Sequence, residues 1–180
     1  MANGVLLHSV LGLRPTETAL AQGLPVSRHP TTAPDFFGGR STSDVTEGLA
    51  ILDSEGDAEV LSRAREAAHA APGEAVLVGI SMGYGAADRL WGERPLASDP
   101  FLISGSGPIP DPLPSGAPVE MHMARPDPWD SEKVVAARAG DPRAQPLRVE
   151  RMTASAYASG PVLDASSTCA ARLLALLDAL

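Results

Sequence analysis

The sequence predicts an α/β protein, a mostly parallel sheet with helices packed on both faces. Three observations lead there. Short apolar runs alternate with helix-period segments along the chain, which is the pattern of strands joined by crossover helices. The run AVLVGI, residues 75–80, is nearly all apolar, as a strand buried on both faces requires. Gly-Ile-Ser-Met-Gly, residues 79–83, then joins that run to a helix pattern, which is how a strand–turn–helix unit presents one side chain.

The elements follow in order. Gly4 to His8 is a Val/Leu run closed by a turn, a buried strand. A short helix is expected over Thr16 to Gln22, stopped by Gly23, with a second strand over Leu24 to Arg28. A Pro/Gly/Thr-rich loop, HPTTAPDFFGGRST, comes next. Ser43 or Asp44 caps a helix running to about Asp53, and Asp57 caps another through Ala70, ended by Ala-Pro-Gly. After the 75–80 strand a helix runs to about Trp91. Phe101 to Gly105, Val119 to Met123 and Leu147 to Met152 read as further strands, with a helix over Ser131 to Ala139. The C-terminal TCAARLLALLDAL reads as an apolar helix. In such sheets the ligand crevice lies at the carboxyl ends of the strands, and those ends carry His8-Ser9, His29, Ser81, Gly105 and Asp127.

A chain of 180 residues with 44% apolar and 20% charged residues suits one soluble domain, residues 1–180. Aromatics are 4%, so the core must be built from Val, Leu, Ile and Ala. The net charge of −8 argues against a nucleic-acid partner and against an anionic membrane surface. A single cysteine, Cys169, excludes an intrachain disulfide, and the opening residues lack a basic leader, so a cytoplasmic location is expected. There is no His/Cys cluster at metal-ligand spacing and no phosphate loop. The expected partner is therefore a small-molecule substrate, with no cofactor.

The chemistry centres on Ser81. In Gly-x-Ser-x-Gly between strand and helix, the serine sits on a sharp turn with its hydroxyl clear of the sheet. The helix N-terminus adds partial positive charge, and the Met82 N–H faces a developing oxyanion. The five-residue pattern alone is common. Its strand-before, helix-after context makes it specific, against the plainer reading of an N-capping serine.

The segments VLLHSVLGLRP, PDFFGGR, GISMGYGAA, LISGSGPIP and VEMHMARPDPWD occur in an order and spacing that resemble the dienelactone hydrolase family of small, lidless α/β-hydrolases. The resemblance covers nearly the whole chain. It implies Ser81 as nucleophile, where most members have cysteine, and Asp127 as the catalytic acid. It implies an oxyanion hole from the backbone N–H groups of Val10 and Met82. Ser9 falls where a glutamate touches the nucleophile in well-known members. Arg40 falls in the region where an arginine binds a substrate carboxylate, although a solvated loop arginine reads as well.

One departure matters. In α/β-hydrolases the histidine follows the acid along the chain. The four histidines here are His8, His29, His69 and His122, and none follows Asp127. The family's histidine position falls on Pro161, in YASGPVLD. Serine is a weak nucleophile without a base, and removing one triad member commonly costs roughly 10⁴ to 10⁶ in kcat. His8 and His29 are the candidate substitutes, read against a bracing role for His8 and simple exposure for His29. His122 reads as a strand residue and His69 as a remote helix residue. Asp127 is itself a candidate acid or base, while Asp130 reads as a helix cap. Three functions stay open: a hydrolase of small esters or lactones with a degenerate Ser81/Asp127 site, a non-hydrolytic cyclase or isomerase on the same scaffold, and a ligand-binding pseudoenzyme.

Overall fold

The computed structural model describes residues 3–26, 29–73, 75–91, 93, 101–103, 119–125, 133, 136 and 147–153. They form six strands, β1 (Gly4–Leu7), β2 (Thr31–Thr32), β3 (Val76–Ile80), β4 (Phe101–Ile103), β5 (Val119–Arg125) and β6 (Leu147–Thr153). Four helices accompany them, α1 (Pro15–Val26), α2 (Val45–Glu55), α3 (Asp57–Ala70) and α4 (Met82–Trp91). All strands are parallel, in the order β2-β1-β3-β4-β5-β6.

β1 and β3 are interior strands, each paired on both sides, and every residue of both is buried. Val5, Leu7 and Leu77 pack into one cluster with Phe36, Phe37, Val60, Ala64 and Leu90. Leu6, Val76 and Val78 alternate to the other face and are also fully buried, so both faces of the sheet are covered at this point. Small residues on α3, Ala64 and Ala68, let that helix approach closely.

Helix boundaries follow local chemistry. The Asp44 side chain caps α2 by accepting the Glu47 N–H at 2.8 Å. Gly56, at φ +83°, ends α2 and turns the chain straight into α3. Asp57, expected as the cap of α3, is instead its first helical residue, because the turn needs a backbone conformation that glycine adopts without strain.

The second element departs from expectation. α1 starts at Pro15, where a fixed φ and a missing N–H suit the first turn. It then continues through Gly23 and Pro25 to Val26, so residues 24–26 of the strand expected over 24–28 are helical, and 27–28 lie outside the described residues. Gly23 costs only about 1 kcal/mol in a helix, and Pro25, in the last turn, forgoes the one bond its missing N–H would have made to the Ala21 carbonyl. The strand appears later, as the two-residue β2. Strands β5 and β6 extend beyond the runs read from sequence, to Arg125 and Thr153. Lys133 and Ala136 are helical. The C-terminal apolar helix, Gly105, Asp127, Asp130, Tyr157 and Pro161 lie outside the described residues.

Candidate active site

Ser81 lies between the last residue of β3 and the first of α4. Its φ is +51°, and it is the one non-glycine with a left-handed backbone among the described residues. For an L-residue that conformation costs about 1–2 kcal/mol. The flanking glycines explain how the turn closes. A Cβ on Gly83 would fall 2.0 Å from the Leu7 carbonyl oxygen, and one on Gly79 would fall 2.6 Å from the Tyr84 Cα. Helix α4 therefore starts hard against the end of β1, and the Tyr84 N–H donates to the Ser81 carbonyl at 2.9 Å.

Ser81 opens into a pocket of about 200 Å³. Among the described residues it is lined also by Met82, by the loop residues Val10 and Leu11, and by Val45, Leu49 and Leu52 of α2. Three residues singled out in sequence, Val10, Ser81 and Met82, thus share one cavity. As the first residue of α4, Met82 has an N–H with no intrahelical acceptor. The Val10 N–H also has no acceptor among the described residues.

The Val10 donor is aimed by a buried histidine. The His8 side chain is fully buried, and its Nδ1–H donates to the Ser9 carbonyl at 2.7 Å. The Gly12 N–H reaches the same oxygen at 3.1 Å. In a trans peptide the C=O and the following N–H point in opposite directions. Two bonds on the Ser9 carbonyl therefore fix the direction of the Val10 N–H. At its other nitrogen, His8 accepts the Phe36 N–H at 3.0 Å. Its ring packs on Phe36 and Phe37 at centroid distances of 4.5 and 5.1 Å. These bonds fix the tautomer with the proton on Nδ1. Desolvation holds the His8 pKa below the ordinary 6.5, outweighing the Ser9 bond and the opposing pull of Asp35 and Glu17. Asp35 approaches Nε2 at 3.9 Å. With both nitrogens engaged, His8 braces the loop and has no lone pair left to take the Ser81 proton.

The other candidates are placed as follows. Ser9, weighed as a substrate contact, is 1% exposed, and its hydroxyl accepts the Leu11 N–H at 3.2 Å. His29, expected at the Ser81 edge and exposed, is neither. It is buried and precedes β2, whose Thr31 pairs with Gly4 at the start of β1. Gly4 also pairs with Val76, five residues before Ser81, so the two edges lie about 16 Å apart along the strands. The error follows from the longer α1, which moved the strand beyond His29. His69 stands in the last turn of α3, 3.7 Å from Glu93. His122 is on β5, in register with Ile103 of β4.

Arg40, weighed as a ligand for a substrate carboxylate, is committed elsewhere. It pairs with Glu55 at the end of α2 and donates to the Phe37 carbonyl at 3.4 Å. Arg63 binds the same Glu55 at 2.9 Å, and the Phe36 carbonyl at 2.6 Å. The Arg40 hydrogen bond is the main reason the Glu55 carboxyl titrates below its usual range. This network ties the 36–40 loop to α2 and α3.

Sequence reasoning missed the α2 wall. Val45, Leu49 and Leu52 sit at helical spacing, which ordinarily marks a core face. It also missed Gly48, where a Cβ would fall 2.5 Å from the Val10 carbonyl oxygen. Glycine there lets α2 press against the oxygen of the peptide that follows the candidate donor. Among the described residues, no cluster of His, Cys, Asp or Glu is arranged to hold a metal ion, and no helix is long and apolar enough to cross a membrane.

A parallel sheet with a left-handed serine between its central strand and the next helix is an α/β-hydrolase fold, and solved structures agree. The chain is similar over its full length to a protein from Xanthomonas campestris pv. campestris assigned to the α/β superfamily of hydrolases, at 22% identity and a TM-score of 0.65, covering 100% of that chain. It is also similar to a dienelactone hydrolase-like promiscuous phosphotriesterase from metagenomic libraries, at 16% identity and a TM-score of 0.73, covering 87% of that chain. No family model matches the chain, and no curated protein matches it.

Proposed function

We propose that the protein is a serine hydrolase of the dienelactone-hydrolase type, acting on a small ester, a lactone or a related carbonyl compound. Ser81 is the nucleophile. The N–H groups of Met82 and Val10 receive the oxyanion formed when the Ser81 Oγ adds to the carbonyl carbon. Asp127, which the resemblance implies as the catalytic acid, takes the Ser81 proton itself in the absence of a following histidine. The observation that carries this reading is the strained Ser81 backbone in the lining of a pocket that Val10 and Met82 also line. Strain of this kind persists where surrounding structure enforces it, and it clusters at active sites. The phosphotriesterase named among the similar structures makes an uncharged phosphotriester a second electrophile to try.

The absence of a histidine after Asp127 and the engaged nitrogens of His8 favour one rival reading, a cyclase or isomerase that uses the donors without an acyl-enzyme. Labelling by a fluorophosphonate, with the site found by peptide mass spectrometry, separates the two. Modification of Ser81 and loss of p-nitrophenyl ester turnover in Ser81→Ala support the hydrolase. Turnover unchanged in Ser81→Ala overturns it.

A further inference from the structure

We infer that the Ser81 pocket takes an uncharged, apolar acyl group of about six or seven non-hydrogen atoms, laid along the outer face of α2. This rests on the proposed function only for which end of the ligand meets Ser81.

Three observations carry it. First, the wall facing Ser81 is a single apolar stripe. Val45, Leu49 and Leu52 are spaced i, i+4, i+7, so they align on one face over about 10 Å of helix. Second, Val45 and Leu49 are the large hydrophobic residues left exposed among the described residues, at 38% and 43%. Exposed Leu and Val are ordinary one at a time. Two that adjoin on the lip of a cavity shared with a strained serine make a continuous apolar lip that a ligand would cover. Third, no charged side chain among the described residues lines this pocket. The nearby loop cation, Arg40, is neutralised by Glu55, which it shares with Arg63. A ligand carboxylate would therefore meet no counter-charge from the described residues, in a protein whose net charge is already −8. The size follows from the volume of about 200 Å³, at about 30 Å³ for each small group.

The carbonyl end then lies between Ser81, Met82 and Val10, and the alkyl end runs toward Leu49. The bond to be broken points out of the pocket, so the departing group is the part least selected. Selectivity resides in the acyl chain.

The test is binding to the Ser81→Ala protein, followed by ligand-observed NMR, so that no turnover is needed. The probes are propanamide, butanamide, pentanamide and hexanamide, with adipamic acid as the carboxylate-ended analogue. Affinity should rise about fourfold per methylene, and adipamic acid should bind at least about tenfold more weakly than hexanamide, since its charge finds no partner. Leu49→Asp should remove most of the chain-length dependence. Because Leu49 is half exposed, this variant keeps the fold, which its melting temperature verifies. Glu66→Gln on α3 serves as the unaffected control. A flat response to chain length, or adipamic acid binding as well as hexanamide, overturns the inference. Chain-length-dependent binding together with no fluorophosphonate labelling of the unmodified protein would remove the hydrolase reading and leave this one standing.

Discussion

Replacing Ser81 by glycine should stabilise the protein relative to replacing it by alanine. Both changes remove the hydroxyl, so the pair isolates the backbone. Alanine keeps a Cβ and inherits the left-handed conformation at φ +51°, which costs an L-residue about 1–2 kcal/mol. Glycine removes that cost but loses about 0.4–1 kcal/mol through its freer unfolded chain. The balance favours glycine by about 0.5–1 kcal/mol. A chain of this size shifts by about 2–4 °C for each kcal/mol, so calorimetry should place Ser81→Gly about 1–4 °C above Ser81→Ala. Ser54 supplies a control of opposite sign. It lies in the last turn of α2, where the left-handed argument does not apply and alanine should exceed glycine by up to about 1 kcal/mol. If alanine also beats glycine at position 81, the turn is not holding Ser81 under strain, and the reasoning from strain to site fails.

His8→Phe should destabilise by about 1–3 kcal/mol, because the buried Phe36 N–H loses its acceptor, while His8→Gln, which can still present an acceptor, should recover part of that in denaturant melts. The same residue sets a pH dependence. Its folded pKa lies below 6.5, so the unfolded chain binds the proton first. The contribution is complete above about pH 6.5 and falls away as pH drops toward the folded value, against the local pull of Asp35 and Glu17. Melts between pH 5 and 8 should show this limb in the natural protein and not in His8→Phe. Gly48→Ala should cost about 1–3 kcal/mol by overpacking, since the new methyl meets the Val10 carbonyl oxygen at 2.5 Å. It should also slow fluorophosphonate labelling of Ser81, which a purely local packing loss elsewhere on α2 would not.

Much of this was legible because local chemistry dictated it. Asp44 announces α2 through its side-chain cap, and the 76–80 run is apolar enough for a strand covered on both faces. The Gly-Ile-Ser-Met-Gly turn could be read because its glycines answer a steric demand of the turn itself. The misreadings came from interactions distant along the chain. Gly23 and Pro25 look like breakers, yet a helix whose Leu20 and Ala21 are buried runs through them to Val26, and that shift carried His29 to the wrong edge. Arg40 looked available because Glu55 is fifteen residues away. The stripe on α2 had the period of a core face, and periodicity alone does not reveal that its first two members stand half open to solvent beside Ser81.

Several independent costs converge on a single peptide and its neighbour. Ser81 holds an unfavourable φ. A polar ring is buried with both nitrogens committed to orienting the Ser9–Val10 peptide and the Phe36 loop. Gly48 and Gly83 are both required by backbone oxygens closer than any side chain allows, at Val10 and Leu7. A turn that merely joins a strand to a helix has less demanding solutions, with glycine at the strained position and an apolar residue in place of the buried ring. What the arrangement achieves is an apolar pocket that Ser81 shares with Val10 and Met82, two residues whose N–H groups have no acceptor among the described residues. On the proposed reading these N–H groups would stabilise developing negative charge without reorganising, and donors of this kind together with substrate binding account for about 10³ to 10⁴ of rate even where a triad member is missing. The order of construction therefore explains how the chain can lack a histidine after Asp127 and still keep a serine under strain. On the proposed reading, the oxyanion-binding half of the site is built where β1, α2 and α4 meet the turn after β3, and the described contacts there hold the Ser9–Val10 peptide and Ser81 in place.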